Sequence, residues 1–475
     1  MAGETLRFAS VHDISLAIAS RAVSPVDCVK HSVDMIERHN EQSQAFLSHD
    51  ANTALAEAAK AEGEIMRDGP RSPVHGIPFG VKDLIAVRGM QRTCGSRVYP
   101  PEICTEDAHV VRRLREAGAI MVGMTSPNEF AYGPTGINAV SASPRNPWDM
   151  KRACGGSSSG SGCAVSTGFV PAALGTDTGG SVRVPAAICG VTGLKPSYGL
   201  TSRTGIQPLC ITYDHPGPLA HTAWDCGMIL EIMAGQDRRD PSTWNRPTFR
   251  MPEEPDGETL KGCRIGILES YFREDVTSDV ASVFDATLEE LKSLGCSLTK
   301  ADPAGLSEAL ECWNTACLAE AYHVHEQRVR DHHDDMSPDV SSRLLLGREI
   351  STQDYLGACR QREIFQAEVA GLMERFDFLV TPTTLLPAIS LETGEFESDK
   401  GPVNGSQWLG RLTRLANQTG QPAISVPCGF TPGSLPVGLQ MIGHWFGDGD
   451  LIRVAAAFQQ HTDWHSRHPP AGAEK

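Results

Sequence analysis

One stretch rich in glycine and serine, residues 155–162, constrains the fold of this chain more than any other. Such a run is usually a linker, because glycine accepts backbone angles closed to other residues and serine satisfies the polar groups of a loop. Here the run leads directly into the small and apolar residues 164–174, which are typical of a buried segment. Because unpaired polar groups inside a protein are costly, we expect these amides and hydroxyls to face polar partners in a site.

Two kinds of site compete for a buried Gly/Ser loop: a phosphate-binding loop, and a nucleophile beside an oxyanion hole. A phosphate loop needs a closing Lys-Ser or Lys-Thr pair, or a GxGxxG between strand and helix, and neither is present. A nucleophile needs a serine in a tight turn with amide donors beside it. The downstream run Thr-Asp-Thr-Gly-Gly-Ser at 176–181 supplies both, so Ser181 is the candidate nucleophile.

The proton acceptor for such a serine is missing from both runs. The nearest histidines, His215 and His221, follow Ser181 by 34 and 40 residues, and a Ser/His/Asp arrangement stays open because triad members need not be close in sequence. A lysine kept neutral by burial is the other choice, and Lys82 ends the short apolar stretch 76–81. From that stretch alone, a strand-end lysine with its ammonium in water is the simpler interpretation.

Taken together and in this order, Lys82, the Gly-Gly-Ser-Ser run and the Asp-Thr-Gly-Gly-Ser run resemble the amidase signature family. The catalytic centre of that family is a serine, a serine with a cis peptide bond and a lysine. Here Ser157 follows Lys82 by 75 residues and Ser181 follows Ser157 by 24, which are the family's spacings. Further matching stretches are 143–149, 183–187, 193–197, 217–219 and 436–440.

The resemblance implies a role for each residue of the three motifs. Ser181 Oγ would attack an amide carbonyl and form an acyl-enzyme, while protons pass through Ser157 to a neutral Lys82. Because free lysine has a pKa near 10.4, Lys82 must be desolvated and held by hydroxyl groups, Ser158 being the best candidate beside Ser157. The peptide bond between Gly156 and Ser157 is expected to be cis.

Supporting residues follow from the same resemblance. Asp177 and Arg183 would fix the turn of the nucleophile, with an ordinary surface ion pair as the alternative for Arg183. Ala131 and Tyr132 would line the acyl pocket, and a plain core position is an equally good interpretation of the aromatic side chain. The implied oxyanion hole consists of the main-chain amides of Thr178, Gly179, Gly180 and Ser181.

The order of predicted elements indicates an α/β fold. A strand at 77–81, a helix at about 107–117 ended by Gly118, and a strand at 119–123 form a βαβ unit, which implies neighbouring parallel strands. Residues 200–260 carry many turn formers and are expected to be long loops at the entrance of a site, apart from one helix.

The resemblance extends this pattern to the whole chain. It implies a single large domain over residues 1–475, with a mixed β-sheet core surrounded by helices. A mostly helical region at about 305–375 is expected to shape the choice of substrate.

Composition narrows the function classes further. The formal charge of −16 argues against a broad phosphate-binding surface, so direct nucleic-acid binding is not expected. The 14 cysteines occur without CxxC pairs or metal spacing, so reduced, buried thiols are expected. A His-His-Asp-Asp run at 332–335 lies in a charged segment typical of solvated surface. We therefore expect neither a metal nor a cofactor.

Location is predicted from two absences in the sequence. The first residues lack a basic stretch followed by an apolar run, so no signal peptide is expected. No apolar run approaches membrane-spanning length. The expectation is a cytoplasmic protein without a membrane partner.

For function, the main expectation is a serine hydrolase that cleaves the C–N bond of a small amide-type substrate, either a linear carboxamide, an arylamide, a carbamate or a urea derivative. Its expected partner is that small molecule, and a homodimer is left open. The alternative within the family is the glutaminase component, or A subunit, of a tRNA-dependent amidotransferase. A remote alternative from another class is a non-catalytic module that binds a small anion through the Gly/Ser loop.

Overall fold

A mixed β-sheet forms the centre of the molecule. The computed structural model describes residues 6–470, and the five residues at each end lie outside it. The first five belong to the segment from which the absence of a signal peptide is predicted. Within this range eleven strands form one sheet. Numbered along the chain and taken in spatial order, they are β1 (Phe46–His49), β5 (Ile120–Thr125), β2 (Pro78–Lys82), β8 (Ala172–Asp177), β10 (His215–Ala220), β9 (Thr192–Lys195), β16 (Ala423–Phe430), β17 (Pro436–Ile442), β13 (Phe378–Pro382), β11 (Arg264–Ile267) and β12 (Ser297–Lys300).

Helices surround this sheet, and short two-stranded ribbons lie outside it. The ribbons of residues 6–470 are β3 (Gln91–Arg92) with β4 (Glu102–Ile103), β6 (Arg145–Asn146) with β7 (Asp149–Ala153), and β14 (Glu395–Ser398) with β15 (Gly401–Asn404). The α-helices of the same range are α1 (Val11–Ala19), α2 (Pro25–Ser43), α3 (Ala51–Asp68), α4 (His109–Ala117), α5 (Ser159–Ser166), α6 (Arg183–Cys189), α7 (Ala223–Met233), α8 (Ser270–Arg273), α9 (Ser278–Ser293), α10 (Leu306–His332), α11 (Pro338–Arg348), α12 (Thr352–Met373), α13 (Gly405–Trp408), α14 (Arg414–Thr419) and α15 (Asp448–His461).

The predicted βαβ unit is confirmed. Strands β2 and β5 pair in parallel, and α4 connects them. Helix α4 ends at Gly118, whose φ of 100° is a left-handed conformation that glycine adopts without strain. The α/β class and the mixed sheet are therefore as the sequence predicts.

The carboxyl ends of two parallel strands position the site. Strand β2 pairs with β8 in parallel, with Val81 opposite Leu174. Lys82 at the end of β2 and Asp177 at the end of β8 therefore lie at the same edge of the sheet.

The expectation of loops throughout 200–222 is wrong, because β10 is a fully buried strand in the middle of the sheet. It pairs antiparallel with β8 along its whole length, with His215 opposite Asp177. Its other neighbour, β9, pairs with it only at Leu219 and Ala220. Pro216 and Pro218 made the segment resemble a turn. Neither is paired with a residue of β9, so the N–H group that proline lacks removes no hydrogen bond on that side of the strand.

Helices α10, α11 and α12 make up most of the region 305–375. Trp313 and Cys317 of α10 belong to the same apolar cluster as Phe130 and Tyr132. This cluster joins the helical region to the segment beside the Gly/Ser loop. No helix within residues 6–470 combines the length and apolar character needed to cross a membrane.

Candidate active site

Lys82 is fully buried and held by two hydroxyl groups. Its Nζ donates to Ser157 Oγ and to Thr176 Oγ1, each at 2.8 Å. Burial lowers the pKa of Lys82 to about 7, although the carboxylates of Asp177 and Asp214 act in the opposite direction. The interpretation of Lys82 as a strand-end lysine with its head in water is therefore wrong, and the amine is close to half neutral at neutral pH.

Ser158 does not take the place predicted for it beside Lys82. Its Oγ donates to the carbonyl of Thr176 and accepts from the Thr176 amide, each at 3.2 Å, while the Thr176 hydroxyl holds Lys82. The reason is strand geometry, since Thr176 lies on β8 directly beside the end of β2. The amide of Ser158 donates to the carbonyl of Ser181 at 3.1 Å, so Ser181 lies against the Gly/Ser loop.

The Gly/Ser loop leads into α5, and its residues are buried as the sequence predicts. The peptide bond between Gly156 and Ser157 is cis. Ser157 has no measurable exposure, whereas Ser181 is partly exposed. The loop thus lies beneath a serine that solvent or a ligand can reach.

Asp177 and Arg183 form a fully buried ion pair behind this serine. Arg183 Nη2 and Nε donate to the Asp177 carboxylate at 2.9 and 3.0 Å, and Asn417 Nδ2 donates to it at 2.9 Å. Although burial opposes ionisation, the Arg183 guanidinium holds the pKa of Asp177 well below its ordinary value. The alternative of a surface ion pair for Arg183 is wrong.

The same carboxylate shapes the turn that carries Ser181. It accepts the amides of Gly180 and Val182 at 2.8 and 3.2 Å. The structure therefore differs from the prediction at Gly180, whose N–H already has an acceptor in Asp177 and is turned away from a bound carbonyl. Thr178 and Gly179, with Ser181 itself, retain the amides proposed for an oxyanion hole.

A cavity of about 1160 Å³ opens over this turn. Gly156, Thr178, Gly179 and Ser181 lie at its base, and Ala131 and Tyr132 are among its walls. Residues of α10 and α11 form much of the remaining wall. The helical region 305–375 therefore contributes directly to the cavity.

The histidines left open as bases are turned to other partners. The Nδ1 of His215 faces the main-chain carbonyls of Asp177 and Tyr213 at 3.2 and 2.5 Å. Burial lowers the pKa of His215 well below its usual value, so the ring is neutral. His221 packs edge-on against Phe8, with ring centroids 6.3 Å apart. Within residues 6–470, the side chain that hydrogen-bonds to the Ser157 hydroxyl is that of Lys82.

The histidine-rich stretch offers no set of metal ligands. Within residues 6–470 no group of three His, Cys, Asp or Glu side chains is arranged to hold a metal ion. His332 and His333 are exposed and lie beside Asp335 and Asp334 respectively. His325 is buried instead, with its ring 4.4 Å from that of Phe130.

Three residues of the site were given no role by the sequence analysis. Thr176 holds Lys82, Asp214 accepts the Thr178 hydroxyl at 2.6 Å, and Asn417 braces Asp177. The available signal for the first two was register: a lysine ending one strand must face the side chains that end the neighbouring strands. Asn417 lies 240 residues from Asp177 and gives no such signal.

Comparison with known proteins agrees with this geometry. The sequence model of the Amidase family matches residues 27–452. The chain belongs to the amidase signature family. Members of this family are enzymes that act on carbon–nitrogen bonds, so the remote alternative of a non-catalytic anion-binding module loses its support.

Relatives match the chain from end to end. The A subunit of glutamyl-tRNA(Gln) amidotransferase from Dechloromonas aromatica is 34% identical, over 97% of this chain and 99% of that protein. A crystal structure described as an amidase is 31% identical, covers 95% of this chain and 100% of its own, and superposes with a TM-score of 0.87. The crystal structure of the A subunit of glutamyl-tRNA(Gln) amidotransferase from Thermotoga maritima is 31% identical, covers 96% of this chain and 95% of its own, and gives a TM-score of 0.80.

These relatives overturn two expectations. A hydrolase of small amides, carbamates or ureas is wrong as the main interpretation, because curated relatives at 32–34% identity carry the name of an amidotransferase subunit. The alternative, a glutaminase subunit, fits them better. The expectation that the partner is a small molecule alone is wrong for the same reason, since those relatives are each one subunit of an assembly. Active-site motifs alone cannot distinguish a hydrolase of small amides from a glutaminase subunit, because both functions use the same amide chemistry.

Proposed function

We propose that this chain is the glutaminase subunit of a tRNA-dependent amidotransferase. It would release ammonia from the side-chain amide of glutamine for a partner subunit that amidates glutamate carried on tRNA. The observation that supports this proposal is the full-length match to proteins named as the A subunit of glutamyl-tRNA(Gln) amidotransferase. The buried Lys82–Ser157 contact beneath Ser181 supplies the chemistry that such a subunit needs.

The proposed reaction starts with attack of Ser181 Oγ on the amide carbon of glutamine. The Ser181 proton passes to Ser157, which passes one to neutral Lys82, and the amides of Thr178 and Gly179 stabilise the oxyanion. Collapse of the tetrahedral intermediate breaks the C–N bond, and ammonia leaves with the relayed proton. Water then hydrolyses the glutamyl ester by the reverse relay and releases glutamate.

The cavity offers charged groups suited to a free amino acid. Arg414 lies 4.6 Å from the centre of the Trp313 ring and, among the described residues, has no carboxylate partner. Arg411 lines the same cavity but is already paired with Glu274 and Asp275 at 3.4 and 3.1 Å. Arg343, the third arginine of the cavity, already donates to the Tyr132 carbonyl and to Ser406 Oγ. We therefore assign the α-carboxylate of glutamine to Arg414. Glu311 and Asp339, which also line the cavity, suit the α-ammonium group.

The proposed function is tested by co-expressing the chain with an amidotransferase subunit that a neighbouring gene encodes, and by measuring glutamate release from glutamine. We expect release to depend on Ser181 and to rise when glutamyl-tRNA and ATP are added. Ser181→Ala in the same complex is the control. A complex whose Ser181 reacts with a fluorophosphonate, yet which releases no glutamate from glutamine, would show that the glutaminase assignment is wrong.

The role of Arg414 is tested with a matched pair of variants. Arg414→Gln removes the unpaired guanidinium and is expected to raise the KM for glutamine roughly tenfold to a hundredfold, with little change in kcat, because one charge-assisted contact is lost. Arg411→Gln removes a guanidinium from the same cavity that is already neutralised, and its KM should change by less than about threefold. Equal effects of the two substitutions would remove Arg414 from the substrate site.

A further inference from the structure

A second, smaller cavity lies directly behind the nucleophile turn. It measures about 240 Å³ and shares Ala131, Thr178 and Leu209 with the large cavity. Thr176 and Asp214 line it as well. Thr176, whose hydroxyl holds Lys82, and Asp214 thus both line a smaller cavity beside the one over Ser181.

Asp214 is connected to the turn through one hydrogen bond. Its Oδ1 accepts the Thr178 hydroxyl at 2.6 Å, and its Oδ2 accepts the amides of Leu209 and Cys210 at 2.9 and 3.1 Å. The carboxylate therefore has every acceptor oxygen engaged and its orientation fixed. Asp177 braces the Gly180 end of the turn, and Asp214 braces the Thr178 end.

We propose that Asp214 is a positioning residue of the amide-cleaving site: it fixes Thr178 through the hydroxyl contact and adds a second negative charge near Lys82 to that of Asp177. This inference rests on the proposed function, in which Lys82 acts as the base. Asp214 contacts neither Ser181 nor Lys82 directly, so it would act through Thr178 and through its charge.

The charges around Lys82 determine in which direction its pKa should change when Asp214 is replaced. Asp177 on β8 and Asp214 at the start of β10 both raise the pKa of Lys82 against the larger effect of burial. Burial also raises the pKa of Asp214 to about 6, while its hydrogen bonds and the Arg203 guanidinium lower it, so at pH 7 it is mostly ionised. Arg203 is itself paired with Asp240 at 2.7 Å and does not neutralise Asp214. Removing the Asp214 charge should therefore lower the pKa of Lys82.

Asp214→Asn removes the charge and keeps the shape. The Asn oxygen can accept the two amides while its NH₂ group donates to the Thr178 hydroxyl, so the hydrogen bonds can be satisfied. Asp225→Asn is the matched control, because Asp225 is also buried, has a pKa raised to about 6 by burial, and accepts the amides of His12 and Thr222 away from Lys82.

The experiment measures the rate at which a fluorophosphonate labels Ser181 between pH 5 and 9, a readout that needs neither glutamine nor tRNA. We expect the midpoint of the acid limb to move down by about one pH unit in Asp214→Asn and to stay at the wild-type value in Asp225→Asn. An unchanged or higher midpoint in a folded Asp214→Asn protein overturns the proposal. Normal labelling of the wild type without glutaminase activity would contradict only the proposed function.

A second pair of variants tests the proposal even if the Asp214→Asn protein does not fold. Thr178→Val removes the hydroxyl that Asp214 accepts, and Thr178→Ser retains it. We expect labelling to slow at least tenfold in Thr178→Val and to be largely restored in Thr178→Ser. Equal labelling rates for the two variants would show that the contact between Thr178 and Asp214 does not position the turn.

Discussion

Replacing Arg183 with methionine tests how the nucleophile turn is held. The guanidinium donates to both Asp177 oxygens, to the Thr413 carbonyl at 2.8 Å and to Asn417 Oδ1 at 2.7 Å, and it also reaches Gln440 Oε1. Methionine fills a similar volume but leaves the Asp177 carboxylate buried without its cation. Breaking a buried ion pair in this way costs about 3 to 5 kcal/mol, so we expect a loss of about 4 kcal/mol in the free energy of unfolding at pH 7.

The loss should depend on pH in a defined direction. In the wild type, Arg183 holds the pKa of Asp177 below its unfolded value, so this stabilisation is fully present above about pH 4 and constant between pH 5 and 7. Without Arg183, burial raises the pKa of Asp177, and the folded variant takes up a proton as the pH falls. The variant therefore regains stability on acidification, by at most about 1.4 kcal/mol per pH unit.

Urea denaturation followed by circular dichroism at pH 5, 6 and 7 measures both effects. Arg264→Met is the matched control, because the Arg264–Asp377 pair is exposed, at 53% and 36% of the two side chains, and should contribute less than about 1 kcal/mol. A loss in Arg183→Met no larger than in this control, or one that does not change with pH, would refute the reasoning.

Two further predictions concern the base and the turn. Because burial lowers the pKa of Lys82 to about 7, the rate of Ser181 labelling should rise between pH 6 and 8 as the neutral amine forms, and a flat profile would exclude a lysine base. Gly180→Ala should slow labelling strongly and destabilise the protein by about 1 to 3 kcal/mol, since Gly180 has a φ of 120° and an added Cβ would lie 2.1 Å from Thr413 Oγ1. In Gly63→Ala, on a helix with nothing within 4 Å, stability should be unchanged or higher by up to about 1 kcal/mol; equal losses in both variants would contradict the argument from Gly180.

The elements that sequence predicted well are those with a strong local signal. Helix α4 ends at Gly118 as expected, and the strand that carries Lys82 lies beside its predicted parallel neighbour. Strand β10 was missed because Pro216 and Pro218 are typical of turns, and only the pairing of the finished sheet accommodates them.

In the candidate site, too, the sequence was informative where a motif carries the signal and uninformative where the pairing of distant strands decides. Spacing and resemblance were enough to expect Lys82 and Ser157 in contact, which the structure contains. Ser158 was the predicted second hydroxyl partner of Lys82, whereas the register of β2 and β8 places the hydroxyl of Thr176 there. Register across a sheet depends on the whole fold and is not encoded in any single motif.

The brace of Arg183 has a consequence for the order in which the protein matures. Its acceptors at Thr413, Asn417 and Gln440 lie 230, 234 and 257 positions further along the chain. During synthesis from the amino end, a ribosome-bound chain contains Ser181 long before those acceptors have left the exit tunnel. Reactivity of Ser181 towards an acyl donor is therefore expected to appear late, near the completion of translation.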